Sequence, residues 1–256
     1  MRAALAVLLG LVLWGGARAD TAAQQTPFRD WAAIVVAGDW RAAGGRDTKA
    51  FENARRDVTG ALVEAGFQRA NLRTFGVSPT APGVAETEGP AFVAGLRETS
   101  GRARGGCLLY FTSHGSPQGI IFGRKGMLAP TALDRLLDST CADRPTVVFV
   151  SACFSGVFVP ALAAPNRLIV TAARPDRSSF GCGEGDRYPF FDACVLEAWP
   201  VARDFLNLGR AVQGCVSRRE REMKLAPPSE PQISAGPRIR PLLPLLPLPG
   251  ALARAG

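Results

Sequence analysis

The chain alternates short, unbroken apolar runs with longer stretches of helical periodicity. Consecutive apolar residues without a polar break are typical of strands that are buried on both faces of a sheet. Such runs predict strands over residues 32–37, 72–75, 107–112, 119–122, 146–150 and 167–171. Apolar residues on one helical face predict helices over residues 48–64, 91–98 and 130–137.

The order of these elements favours one fold class. Apart from the short strand over 119–122, strands and helices alternate from the first strand to the last helix, and two strands then follow in succession. This order is typical of a mostly parallel sheet with helices on both faces, a three-layer α/β sandwich. Ligands in that architecture bind beyond the carboxyl ends of the strands, so the residues that follow each strand are the first candidates for function.

The two ends of the chain differ from its middle. Met1 and Arg2 precede an apolar stretch and an Ala17-Arg18-Ala19 site, which is typical of a secretory signal peptide over residues 1–19. The stretch is shorter than the roughly 20 residues of a membrane-spanning helix. We therefore predict an exported protein, periplasmic or secreted, with no membrane span after cleavage; an uncleaved signal anchor is the alternative.

Proline marks the other boundary. Residues 226–256 are rich in proline, which removes backbone donors and interrupts both helices and ladders. We predict that this segment is a disordered tail outside a single domain over residues 20–225.

Composition excludes several classes of function. The chain is 47% hydrophobic and 20% charged, which argues against global disorder. Its single histidine excludes a histidine-rich metal site, no C-x-x-C spacing occurs, and we expect neither a metal nor a cofactor. The net charge of +8 becomes +6 once Arg2 and Arg18 leave with the signal. Because no basic stripe interleaves with aromatic residues, we expect no nucleic-acid partner. The oligomeric state stays open.

Two of the predicted strands end next to side chains that can react. The strand over 107–112 leads into His114 and Gly115, and the strand over 146–150 leads into Cys153. A thiolate is a nucleophile, and a neighbouring imidazole can accept the thiol proton. Backbone N–H groups at Gly115 and Cys153 could each stabilise an oxyanion by about 3 kcal/mol. Either residue alone is well explained as part of the core, but their joint placement predicts a nucleophilic site.

Four sequence blocks in this order identify a family resemblance. They are residues 111–116 (Phe-Thr-Ser-His-Gly-Ser), 119–122 (Gly-Ile-Ile-Phe), 148–156 (Val-Phe-Val-Ser-Ala-Cys-Phe-Ser-Gly) and 171–180 (Thr-Ala-Ala-Arg-Pro-Asp-Arg-Ser-Ser-Phe). Residues 32–199 resemble the legumain-like cysteine peptidases, family C13 of the caspase-like clan. The resemblance implies a caspase-like sandwich in which Cys153 is the nucleophile, His114 the general base and Gly115 an oxyanion donor.

The resemblance also suggests a substrate pocket. By position, Arg46, Ser178 and Asp192 correspond to pocket members, and Ser151 stands where legumains place an acidic residue. The asparagine that orients the legumain histidine has no match near Gly44, which implies a Cys–His dyad.

The function implied is that of a cysteine endopeptidase that cleaves peptides or proteins through an acyl-enzyme. Two alternatives stay open: a transpeptidase of the same family, and a catalytically silent member that binds peptides or partners. Of the other five cysteines, Cys107 is expected to be a free core thiol. One disulfide is expected among Cys182, Cys194 and Cys215.

Overall fold

The computed structural model describes residues 26–77 and 81–249. The predicted signal peptide over residues 1–19 lies outside the described residues, so the signal and the export that it implies stay predictions. Within the described part of the chain, no helix is both long enough and apolar enough to cross a membrane.

Seven strands form the central sheet. Over residues 26–77 and 81–249, the strands are β1 (Trp31–Ala37), β2 (Leu72–Gly76), β3 (Val84–Glu86), β4 (Gly106–Thr112), β5 (Gly115–Ser116), β6 (Gly119–Phe122), β7 (Gly126–Leu128), β8 (Thr146–Ser151), β9 (Arg167–Thr171) and β10 (Gln232–Ala235). The sheet order is β10-β9-β8-β4-β1-β2-β3, and β5, β6 and β7 form a separate antiparallel ribbon. Pairing within the sheet is parallel except between β10 and β9.

Helices cover both faces of this sheet. They are α1 (Ala50–Glu64), α2 (Gly89–Arg102), α3 (Pro130–Thr140), α4 (Phe158–Leu162), α5 (Phe190–Ala198) and α6 (Phe205–Glu222). Side chains of α1, α5 and α6 share one core cluster with alternate strand residues, and those of α2, α3 and α4 share the other. Because successive strand residues point to opposite faces, both faces of the central strands are buried. The predicted three-layer sandwich with a mostly parallel sheet is confirmed.

The proline-rich segment packs on the domain up to Pro249. Strand β10 adds to the edge of the sheet beside β9, and Ile239, Leu243 and Leu248 are at most 1% exposed. The buried Glu220 carboxylate accepts hydrogen bonds from the Ser229 backbone N–H and hydroxyl group. The prediction of a disordered tail outside the domain therefore does not hold for residues 226–249, because interspersed apolar residues between the prolines supply core contacts. Residues 250–256 lie outside the described range.

Two disulfides fasten helices to the rest of the fold. Cys194–Cys215 joins α5 to α6, and this pair supplies the one bridge expected among the last three cysteines. Cys107–Cys141 joins β4 to the end of α3, so the expectation that Cys107 is a free thiol is wrong. Cys107 lies near the start of a buried strand, and Cys141 lies at the end of a helix that packs on that strand. The two residues meet only in the folded chain, so their spacing in the sequence does not reveal the disulfide. Cys153 and Cys182 are free.

We predict that loss of the Cys194–Cys215 disulfide destabilises the fold. The double variant Cys194→Ala/Cys215→Ala should lower the free energy of unfolding by about 3 kcal/mol, because the unfolded chain gains the entropy of an open loop. Urea unfolding measures this change. The matched control Cys182→Ala removes a thiol that closes no loop and should change the unfolding free energy by much less. Equal effects of the two variants would contradict the disulfide assignment.

A second prediction concerns the proline-rich segment. A chain that ends at residue 225 should unfold at a clearly lower temperature than the full chain, since each lost Ile or Leu side chain in the core contributes about 1.5–3 kcal/mol. A chain that ends at Pro249 is the control and should match the full chain. Thermal unfolding followed by circular dichroism measures both. Identical midpoints for the two truncations would show that the segment does not support the domain.

Candidate active site

Strands β4 and β8 bring the two predicted reactive residues to one edge of the sheet. They are direct neighbours, and their last paired residues are Thr112 and Ser151. The backbone N–H of Ser113 donates to the Ser151 carbonyl at 3.0 Å, which continues the pairing by one step. His114 and Cys153 each follow two residues after that last pair. The structure therefore places both at the carboxyl edge, where α/β folds bind their ligands.

Gly115 lies against the backbone of Cys153. A Cβ atom built on Gly115 would come within 2.1 Å of the Cys153 carbonyl oxygen, so this approach requires glycine. Ribbon pairing also directs the Gly115 N–H. The N–H of Ile121 donates to the His114 carbonyl, so the next pair, Gly115 with Ile120, is of the non-hydrogen-bonded kind. The Gly115 N–H consequently points away from β6.

The loop after β1 holds the imidazole of His114. Its Nε2 lies 2.8 Å from the Arg41 carbonyl oxygen, and its ring meets the Phe51 ring edge to face at 5.0 Å between centroids. An Nε2 atom that bonds to a carbonyl carries the proton, which leaves Nδ1 of the neutral ring as the proton acceptor. Among the described residues, the Arg41 carbonyl thus holds the imidazole, a role that the family resemblance gives to an asparagine. Sequence reasoning missed Arg41 because a carbonyl contact leaves no trace in residue type.

A buried carboxylate fixes that loop in turn. Asp39 is 3% exposed and accepts hydrogen bonds from the backbone N–H groups of Trp40 and Arg41 at 2.7 and 3.1 Å. These bonds hold the backbone immediately before the peptide group that carries the Arg41 carbonyl. A cleft of about 310 Å³ opens here, with His114, Arg41 and Ile121 in its wall. The cleft gives solvent and ligands access to the imidazole.

Cys153 is half-buried in a sharp turn. Phe154, the next residue, has a φ of 57° and donates its N–H to the Arg177 carbonyl at 2.7 Å. The Cys153 sulfur accepts a hydrogen bond from the Ser179 N–H at 3.2 Å. Among the described residues, no acceptor pairs with the N–H of Cys153 itself. The turn therefore presents the thiol and leaves a backbone donor available beside it.

Cys182 differs from Cys153 in its surroundings. Burial, together with a smaller effect of negative charge on Cys153 and Asp186, raises the pKa of the Cys182 thiol to about 11. A thiol with this pKa is almost wholly protonated at neutral pH and is a poor nucleophile. The cysteine near the candidate nucleophile is thus not a competing one, a distinction that spacing in the sequence cannot make.

The four predicted pocket residues fall into an exposed pair and a buried pair. Ser178 is exposed, and the side chain of Arg46 is 81% exposed in an ion pair with Glu184 at 2.5 Å. Asp192 and Ser151 are 0% and 2% exposed, and the Ser151 hydroxyl donates to Asp192 at 2.7 Å. Burial raises the pKa of Asp192 to about 6, against the opposing effect of its hydrogen bonds. The assignment of all four to substrate binding stays a prediction.

The part of the chain that the structure describes contains no cluster of three or more His, Cys, Asp or Glu side chains suited to a metal ion.

A comparison with known protein families matches the part of the chain that contains this site. Residues 100–203 match the family model described as the Peptidase C13 family, and this range contains both His114 and Cys153. Over these residues, which make up less than half of the chain, the sequence is similar to peptidase family C13. The resemblance predicted from the four sequence blocks is thereby confirmed, and the chain is placed among the cysteine peptidases.

The fold has a caspase as a structural relative. The crystal structure of caspase-1 from Spodoptera frugiperda superposes with a TM-score of 0.59 at 16% identity, covering 82% of this chain and 88% of that chain. At this identity the likeness shows the fold alone, and it confirms the caspase-like sandwich. No curated protein sequence matches the chain.

We predict that Gly115→Ala abolishes most of the peptidase activity. The added methyl group would collide with the Cys153 carbonyl, and a shift of about 1 Å between reacting groups can lower a rate on the order of 100-fold. Hydrolysis of a fluorogenic peptide mixture measures the effect. The matched control Gly101→Ala adds a methyl group that meets nothing within 4 Å and should retain the wild-type rate. Full activity of Gly115→Ala would exclude the close approach.

Proposed function

We propose that this chain is a legumain-like cysteine endopeptidase that uses Cys153 and His114 as a catalytic dyad. The observation that carries the proposal is the placement of both residues two positions beyond the last pair of adjacent parallel strands. The Nε2 contact with the Arg41 carbonyl supports it, because that contact leaves Nδ1 as a base.

The mechanism follows from these positions. His114 accepts the thiol proton, and the Cys153 sulfur attacks the carbonyl carbon of the scissile peptide bond. The N–H groups of Gly115 and Cys153 stabilise the negative oxygen of the tetrahedral intermediate. Protonated His114 gives its proton to the leaving amine, and a thioester joins the substrate to Cys153. Water then attacks the thioester while His114 again accepts a proton, which releases the acid and restores the thiol.

Peptides or proteins are the proposed substrates. Arg46 and Ser178 are exposed, and in a legumain-like enzyme they would contact the side chain before the scissile bond. The exposed guanidinium of Arg46 already binds the carboxylate of Glu184, so it suits a substrate side chain that carries an acceptor oxygen.

We predict that a peptide with a thiol-reactive group labels wild type and Cys182→Ala but not Cys153→Ala. Cys182 is the matched control because it is the other free thiol and its raised pKa keeps it protonated. His114→Ala should lower labelling and hydrolysis by at least about 100-fold, since the chain has no other histidine. Mass spectrometry of the labelled protein measures the modification. Hydrolysis that survives Cys153→Ala would overturn the dyad.

The same experiment separates the alternatives. Added amine nucleophiles that capture most of the acyl group indicate a transpeptidase, whereas release to water indicates a hydrolase. A folded wild-type protein that neither labels nor hydrolyses any peptide of a broad library would indicate a silent binding protein.

A further inference from the structure

Asp192 has no part in the mechanism just described, although it lies directly beneath the dyad. It belongs to the first turn of α5 and is fully buried. We propose that Asp192 is a positioning residue, whose carboxylate fastens together the two strand ends from which His114 and Cys153 project. The proposal rests on the proposed function, because the residues that Asp192 positions are those of the dyad.

One carboxylate oxygen spans both strands. Asp192 Oδ2 accepts a hydrogen bond from the Thr112 hydroxyl at 2.9 Å and another from the Ser151 hydroxyl at 2.7 Å. Thr112 and Ser151 are directly opposite each other in the β4–β8 ladder and are its last pair. The other oxygen, Oδ1, accepts from the Tyr110 hydroxyl. Asp192 therefore ties β4 to β8 at the last position where the two strands pair.

The Thr112–Ser151 pair lies just before both reactive residues. His114 follows Thr112 by two positions, and Cys153 follows Ser151 by two. Thr112 and Ser151 point toward α5, because the hydroxyl groups of both bond to Asp192. The contact of His114 with Phe51 of α1 agrees with this direction, since α1 and α5 cover the same face of the sheet. Asp192 thus holds together the strand ends from which the imidazole and the thiol project.

Asp192 is held by hydroxyl donors rather than by a cation. Burial of a carboxylate disfavours its charged form, which is why its pKa lies near 6. Three hydroxyl donors and the first turn of α5 offset part of that cost. An apolar side chain would fill the same space at lower cost, but it could not accept a bond from each strand. Compared with an apolar side chain, the carboxylate adds a hydrogen-bonded bridge between β4 and β8.

This role differs from the pocket role that the family resemblance implies. A pocket residue contacts the substrate, so its loss raises KM or changes the side chain that is preferred. A positioning residue acts on the geometry of the dyad, so its loss lowers kcat and the reactivity of Cys153 while substrate binding persists. The two roles are therefore separable by measurement.

The experiment uses the full chain with the near-isosteric variants Asp192→Asn and Thr112→Val. Thr171→Val is the matched control, because Thr171 also ends a central strand, is also fully buried, and bonds its hydroxyl to the Ala173 carbonyl rather than to Asp192. The measurements are kcat and KM for a peptide substrate and the rate of Cys153 alkylation by iodoacetamide. Circular dichroism confirms that each variant is folded.

We expect Asp192→Asn and Thr112→Val to lower kcat and the alkylation rate by about 10-fold or more, with KM within about threefold of wild type. Thr171→Val should change neither rate by more than about twofold. An increase in KM at unchanged kcat would overturn the proposal in favour of substrate binding. Unchanged kcat and an unchanged alkylation rate in Asp192→Asn would overturn the proposal and show that Asp192 is only a buried core residue.

Alkylation keeps this test separate from that of the proposed function. If the wild type hydrolyses no peptide, the proposed function fails, but a slower alkylation of Cys153 in Asp192→Asn than in wild type still supports positioning. An alkylation rate equal to that of wild type in both variants overturns positioning whether or not the protein is a peptidase.

Discussion

Parallel pairing between β4 and β8 is the interaction on which the candidate site depends. Their carboxyl ends meet at one edge, so two segments far apart in sequence deliver an imidazole and a thiol to the same place. Both strands are buried on both faces, which locks their register, because a slip by one residue would turn every core side chain toward the wrong layer. The precision of the site therefore derives from the hydrophobic core beneath it.

The loops then refine what the strands deliver. Asp39 holds the backbone N–H of Arg41, the residue whose carbonyl contacts His114, and the chain around Ser179 contacts the thiol of Cys153. Most of these contacts use backbone atoms, which need no particular side chain but do need a fixed path of the chain.

The elements that the sequence could predict are those whose residues form a recognisable local pattern. Strands such as β4 and β8 are continuous apolar runs, so their ends, and the positions of His114 and Cys153 just beyond them, are predictable from the order of residues alone. Strand β10 reads Gln-Ile-Ser-Ala, is only half-buried at the sheet edge and lies among prolines, so nothing local distinguishes it. The Arg41 carbonyl and the Cys107–Cys141 bridge depend on contacts between distant segments, which no local pattern records.

Asp192 shows why residue correspondence alone does not settle a role. Position in the sequence matches it to a pocket residue, yet the structure places its carboxylate out of reach of solvent and between two strands. The neighbouring residue Ser151 is a donor, where the family pattern has an acid that would repel Asp192 at this distance. With a serine hydroxyl at position 151, a hydrogen bond to Asp192 takes the place of the repulsion between two carboxylates. The Ser151 hydroxyl is therefore what allows the Asp192 carboxylate to bond to both strand ends at once.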